Sequence, residues 1–173
     1  WRVPSQPEST EISGAVPTIP VEWPSEIYRF HGMKKSGLYL DTGAAENLSG
    51  DRVLLDHERK IFDLSADKSL SILKEPCEAV FAGIDGPGIT TKEAWSAPIF
   101  MGGGLGAACY RASVIPNSDL PSLLCLKSMR AKESVIHCGG DAFYVPLELG
   151  KNVYHRYPLE WDGCHYSLPI DKW

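Results

Sequence analysis

The sequence lacks a regular cysteine pattern, a long apolar run and an excess of positive charge, and each absence excludes a class of protein. Its five cysteines are odd in number and widely spaced, so a disulfide scaffold is not expected. No apolar stretch approaches the ~20 residues of a membrane-spanning helix. A net charge of −5 over 173 residues gives no basic surface for nucleic acid. We therefore expect a globular protein in a reducing, intracellular setting, with neither nucleic acid nor membrane as a direct partner.

Two pairs of neighbouring residues suggest zinc, namely His137-Cys138 and Cys164-His165. Neighbouring residues on a strand point to opposite faces, so neither pair chelates a metal well on its own. Buried free thiols are the favoured interpretation of the cysteines. The sequence therefore predicts no metal site and no cofactor, with zinc as the weaker alternative.

The chain divides into three parts by composition. Residues 1–25 contain five prolines among Ser, Thr and Glu, which predicts an extended linker. The main domain is expected over 26–145, and 146–173 form a C-terminal extension with a candidate terminal strand. The first residues resemble neither a signal peptide nor a translation start, so we expect a piece of a longer polypeptide.

Short apolar runs separated by glycine-rich turns predict a mainly β fold with one or two helices. Strands are expected at Leu38–Leu40, Ala79–Phe81, Ala107–Ile115, Val135–His137 and Ala142–Val145. One helix is predicted over 51–64, with His57 on its solvated face. A second is predicted over 117–133, capped by Ser118 or Asp119. A polar turn is expected over 45–50. The glycine-rich segment 102–106 is interpreted as a flexible loop, because it lacks the Lys-Ser/Thr of a phosphate-binding loop.

The segment Leu38-Tyr39-Leu40-Asp41-Thr42-Gly43-Ala44 carries the clearest functional signal. An apolar run leads to an aspartate that we expect in the interior, and a buried carboxylate is costly enough that it usually has a function. The pattern resembles the active-site signature of the aspartic proteases, most closely the short retropepsin branch of retrotransposon polyproteins. A glycine-rich hairpin follows where retropepsins carry their flap. Leu123-Leu124-Cys125 then resembles their second signature, with Cys125 where family members often have glycine.

This resemblance implies a retropepsin-like closed β-barrel with one or two short helices. It also implies a homodimer, because the chain has one Asp-Thr-Gly and a second copy must supply the other aspartate. Asp41, Thr42 and Gly43 would be catalytic: the two Asp41 carboxylates would activate a water, Thr42 would brace the two loops and Gly43 would allow close approach. The substrate-binding residues would be Ala44 on the loop with Ile84, Asp85 and Gly86 on the flap.

The implied substrate is an extended segment of a polyprotein, cleaved in the cytoplasm or in a virus-like particle. Two alternatives stay open. One is the same fold without activity, serving as a dimerisation or peptide-binding module. The other is an unrelated β-rich binding domain in which Asp41-Thr42-Gly43 is an ordinary turn.

Overall fold

A computed structural model describes residues 37–65, 69–81, 88–102 and 108–172. The predicted linker over 1–25 and the predicted flap residues Ile84, Asp85 and Gly86 lie outside these ranges.

Strands dominate the described part of the chain, with two α-helices and a short 3-10 turn at Cys138–Gly140. The elements in chain order are β1 (Leu38–Asp41), β2 (Leu48–Gly50), α1 (Asp51–Leu64), β3 (Leu73–Phe81), β4 (Ile89–Met101), β5 (Ala108–Ile115), β6 (Ser122–Cys125), α2 (Leu126–Ala131), β7 (Val135–His137), β8 (Ala142–Pro146), β9 (Tyr154–Pro158), β10 (Glu160–Trp161), β11 (Tyr166–Leu168) and β12 (Asp171–Lys172). The predicted mainly β class with two helices is confirmed.

The larger sheet has the order β10-β11-β1-β6-β2-β5-β4-β12, with β3 paired to β4. A second sheet contains β7, β8 and β9. Within the described ranges the strands do not close into a barrel, so the retropepsin-like barrel stays a prediction.

Strand β1 lies inside the sheet, between two partners. It pairs antiparallel with β11 and parallel with β6, where Asp41 is opposite Cys125. Leu38 and Tyr39 are 2% and 3% exposed, because both faces of the strand are covered. The surrounding core includes Leu54, Trp95, Tyr110, Met129, Phe143, Tyr157 and Leu168. The predicted C-terminal extension thus supplies both a partner strand for β1 and part of its core.

The helix predicted over 117–133 is wrong in its first half. Residues 122–125 form β6, and α2 contains only Leu126–Ala131. The Asp51 carboxylate accepts hydrogen bonds from the Asn117 and Ser118 amides at 2.9 and 3.0 Å, which fixes that segment as a turn. Parallel pairing with β1 then extends the chain, and such tertiary pairing overrides local helix-start signals. The actual N-cap is Cys125, whose Sγ accepts from the Ser128 amide at 3.4 Å.

The predicted bounds of α1 are confirmed, but the solvated position predicted for His57 is wrong. The His57 side chain is 4% exposed and lies on the same helix face as Leu54 and Ile61, which are three and four residues away. Its Nε2 lies 2.9 Å from the Pro98 carbonyl oxygen of β4. His57 therefore belongs to the contact between helix and sheet.

Two smaller expectations are also wrong. The predicted polar turn over 45–50 ends in a strand, because Leu48–Gly50 pair in parallel with β5. All five cysteines are free thiols, but only Cys125 is buried; Cys109, Cys138 and Cys164 are exposed. None of the helices in the described ranges is long and apolar enough to cross a membrane.

Candidate active site

Asp41 is the last residue of β1, and the loop over 42–47 connects it to β2. The apolar strand before it is buried, but Asp41 itself is only half-buried, and Thr42 and Gly43 are exposed. The expectation that Asp41 lies in the interior of the single chain is therefore wrong. The Asp41 carboxylate therefore lies at the edge of the core, between the buried residues of β1 and the exposed residues of the loop.

The loop itself orients the Asp41 carboxylate. Its Oδ1 accepts hydrogen bonds from the Gly43 amide at 2.8 Å and from the Ala44 amide at 3.1 Å. This is the local turn that aspartate forms with backbone amides two and three residues on. A Cβ at position 43 would lie 3.3 Å from Oδ1, so glycine allows the closest approach. Neither amide engages Oδ2, which leaves that oxygen for other partners.

The far end of the loop is tied to β6 and β5 by Asn47. Its Oδ1 accepts from the Cys125 amide at 2.9 Å, and its Nδ2 donates to the Arg111 carbonyl at 2.8 Å. The backbone carbonyl of Asn47 also accepts a hydrogen bond from the Ser113 amide at 3.0 Å. Beside it, Glu46 and Lys127 form an exposed ion pair between the loop and α2. Asn47 was missed by sequence reasoning, because an asparagine in a polar turn gives no sign of its distant partners.

Three buried residues join β2, β5 and β6 through their hydroxyl groups. The Tyr110 hydroxyl lies 2.8 Å from the Leu123 carbonyl and 3.2 Å from the Leu48 carbonyl. Ser49 and Ser122 hydroxyl groups are 2.8 Å apart across β2 and β6. These contacts fix the sheet that carries Asp41.

The structure brings together three of the predicted site residues, Asp41, Gly43 and Ala44, and places Thr42 at the exposed tip of the same loop. The predicted hairpin that would carry the flap is confirmed in its strands, since β3 and β4 pair antiparallel up to Phe81 and Ile89. The flap residues Ile84, Asp85 and Gly86 lie beyond these two residues, outside the described ranges.

A cavity of about 880 Å³ borders the loop. Its walls include Ile99, Tyr110, Leu124, Met129, Phe143 and Leu168. Glu46 and Asn47 reach its edge, but Asp41 is not among the lining residues. The cavity, as the described residues line it, therefore does not include the Asp41 carboxylate.

Among the described residues, no group of three or more His, Cys, Asp or Glu side chains could hold a metal ion. The neighbouring pairs at His137-Cys138 and Cys164-His165 therefore gain no third ligand within these ranges.

The candidate site is thus a half-buried carboxylate at the end of a buried strand, and two amides of its own loop orient it. The chain matches no protein-family model, no curated protein and no solved structure. Its function is therefore inferred from the Asp41 loop.

Proposed function

We propose that this chain is an aspartic endopeptidase of the retroviral or retrotransposon type, which cleaves a polyprotein as a homodimer. The observation that carries the proposal is the Asp41 carboxylate, with Oδ1 held by the Gly43 and Ala44 amides at the end of a strand paired in parallel with β6. An aspartate presented in this way has a fixed orientation and one oxygen not engaged by those amides. Both properties suit a group that must bind and deprotonate a water.

The exposure of the loop supports a shared site. Thr42 and Gly43 are exposed and Asp41 is half-buried in the single chain, so the carboxylate is accessible to a second copy. A two-fold axis beside the loop would bring the two Asp41 carboxylates together. Thr42 would then hydrogen-bond across the interface, and Gly43 would let the two backbones approach.

The chemistry follows from two neighbouring carboxyl groups. Like charges about 3 Å apart do not both ionise, so the pair holds one proton. The ionised carboxylate takes a proton from the water as its oxygen attacks the carbonyl carbon, and the protonated one donates to the carbonyl oxygen. The carboxyl group that took the proton from the water then donates it to the amide nitrogen, and the C–N bond breaks. A hydroxyl group of the tetrahedral intermediate returns its proton to the other carboxylate as the carbonyl re-forms. No metal or covalent nucleophile takes part in this sequence.

The same proposal includes the retropepsin-like closed barrel, the flap and the substrate. Ile84, Asp85 and Gly86, together with Ala44, would cover an extended peptide and exclude water. The proposed setting is the cytoplasm or a virus-like particle.

The test is cleavage of a mixed peptide library at acidic pH by the purified chain, with and without a pepstatin-type inhibitor. Asp41→Asn should abolish cleavage, and the inhibitor should block it. The matched control is Asp56→Asn, which changes an exposed carboxylate on α1 that pairs with Arg59 and should leave activity unchanged.

The outcomes separate the proposal from its alternatives. A dimer without cleavage would indicate the inactive module. A monomer without cleavage would indicate that Asp41-Thr42-Gly43 is an ordinary turn. Cleavage that persists in Asp41→Asn would overturn the proposed mechanism.

A further inference from the structure

We propose that Asn47 is the positioning residue for Asp41, acting through the loop that joins them. This inference rests on the proposed function for its catalytic consequence, but its structural part can be measured separately. Asn47 does not touch the Asp41 carboxylate. It fixes the far end of the loop whose amides do.

The two ends of the loop both contact one residue of β6, Cys125. Asp41 is opposite Cys125 in the parallel pairing of β1 with β6. The Asn47 side chain accepts from the amide of that same Cys125 at 2.9 Å. Both ends of the loop are thus tied to Cys125, one by strand register and the other by a side chain.

The loop between these ties carries the two amides that orient the carboxylate. The Gly43 and Ala44 amides reach Asp41 Oδ1 at 2.8 and 3.1 Å. If the Asn47 side chain is removed, this end of the loop loses its bond to Cys125 and keeps the backbone bond from the Ser113 amide. With this weaker hold, the Gly43 and Ala44 amides can shift. A displacement of about 1 Å at a catalytic group can lower the rate about 10²-fold.

Asn47 also links the loop to β5. Its Nδ2 donates to the Arg111 carbonyl at 2.8 Å, and its backbone carbonyl accepts from the Ser113 amide at 3.0 Å. Because Oδ1 accepts from the Cys125 amide while Nδ2 donates to Arg111, the side chain needs an acceptor and a donor at the same time. Among side chains of this length, the amide of asparagine supplies both at every pH, whereas a carboxyl group supplies both only when protonated.

The first experiment compares Asn47→Ala with Glu46→Gln. Glu46 is on the same loop and also reaches α2, through its exposed ion pair with Lys127, but exposed pairs contribute little. Amide hydrogen exchange at Gly43 and Ala44, followed by NMR, should accelerate about tenfold or more in Asn47→Ala, because the loop opens locally. It should be unchanged in Glu46→Gln. In the cleavage assay, Asn47→Ala should lower kcat about 10²-fold with little change in KM.

The second experiment uses Asn47→Asp, which also serves if Asn47→Ala does not fold. When protonated, the introduced carboxyl group can donate to the Arg111 carbonyl and accept from the Cys125 amide. When ionised, it places an acceptor oxygen against that carbonyl. Slow exchange and normal kcat should therefore be retained at acidic pH and lost as the pH rises, relative to the wild-type profile.

The results distinguish the two levels of inference. Unchanged exchange at Gly43 and Ala44 in Asn47→Ala, or unchanged kcat, overturns the positioning role. An Asn47→Asp profile parallel to that of the wild-type protein overturns it as well. If amide exchange accelerates in Asn47→Ala but the wild-type chain cleaves no peptide, the proposed function fails. The structural role of Asn47, which is to hold the Asp41 loop in place, would then still stand.

Discussion

Single residues with buried polar atoms hold together the elements around the Asp41 loop. Tyr110, which is 2% exposed, extends from β5 to the carbonyl groups of Leu123 on β6 and Leu48 on β2. His57 extends from α1 to the Pro98 carbonyl on β4. In each case the atom that makes this contact, the Tyr110 hydroxyl or His57 Nε2, has a backbone acceptor, and loss of the contact would leave that buried atom unsatisfied.

Tyr110→Phe should lower the free energy of unfolding by about 1–2 kcal/mol, because it removes the one hydroxyl donor that the Leu123 and Leu48 carbonyl groups share. Burial raises the pKa of Tyr110, so its hydroxyl remains a donor at every pH at which the protein would be assayed. Urea unfolding followed by circular dichroism measures the change. Tyr154→Phe is the matched control, since Tyr154 is 40% exposed, and its change should stay within about 0.5 kcal/mol. Equal effects of the two substitutions would contradict the role given to the Tyr110 hydroxyl.

His57 should make the fold less stable in acid. Burial lowers the pKa of His57, with a smaller contribution from Lys60, while the Pro98 carbonyl and Asp171 oppose the shift. Below about pH 6.5 the unfolded chain therefore binds a proton that the folded chain does not, so stability decreases as the pH falls through that value towards the lowered folded pKa. His57 Nδ1 has no hydrogen-bond partner among the described residues, which is consistent with a ring kept neutral.

The measurement is the urea midpoint of the wild-type protein and of His57→Gln between pH 5 and 8. The wild-type midpoint should fall on acidification, and the variant should show a flatter profile, since it removes one group that titrates in this range. Parallel profiles would show that other groups set the acid sensitivity. If the chain is the proposed protease, this acid sensitivity of the fold would set a lower limit to the pH at which it can act.

Elements of this chain could be predicted from sequence wherever the signal is local. The apolar run at Leu38–Leu40 and the spacing of Val53, Leu54 and Ile61 give β1 and α1 close to their observed bounds. The boundary between β6 and α2 could not be predicted, because it depends on pairing with a strand more than 80 residues earlier in the sequence. The loop aspartate was found because its motif is contiguous. Asn47 was not, because its partners Cys125 and Arg111 are distant in sequence.

The junction of β2 with α1 depends on Gly50 having no side chain. A Cβ there would lie 2.2 Å from the Ser118 carbonyl oxygen and 2.8 Å from the Leu120 nitrogen. Both are backbone atoms, so the turn before β6 would have to move, and the hydrogen bond from the Gly50 amide to the Leu120 carbonyl at 2.8 Å would be disturbed. Gly50 is therefore required by close packing and not by an unusual backbone angle, since its φ is −77°.

Gly50→Ala should lower the free energy of unfolding by about 1–3 kcal/mol, as overpacking against a fixed backbone does. Thermal unfolding of the variant measures the loss. Gly139→Ala is the control, because a Cβ there meets only the His137 ring at an ordinary 3.7 Å. If Gly50→Ala were as stable as the control, the turn at Ser118 would have to be freer than the structure indicates.

The whole molecule, as a single chain, presents one Asp41, half-buried at the end of β1 beside the exposed residues Thr42 and Gly43. The sequence contains one Asp-Thr-Gly, so a single chain does not supply the second carboxylate of the proposed pair. A second copy would supply the missing carboxylate, and dimerisation would then be a condition of activity. Activity should accordingly depend on how many chains of each active pair carry an intact Asp41.

Mixing wild-type chain with Asp41→Asn chain tests this dependence directly. If both carboxylates are needed and chains exchange freely, equal amounts should leave about a quarter of the pairs fully wild-type, so the activity per total pair falls to about that fraction. Mixing with Asp56→Asn chain, altered only at an exposed carboxylate on α1, should leave the activity per pair unchanged. The assay is initial rate against mixing ratio at fixed total chain, with sedimentation velocity to confirm that pairs form. When the chains exchange, a linear fall with the wild-type fraction would mean that one Asp41 suffices, since each chain would then act on its own.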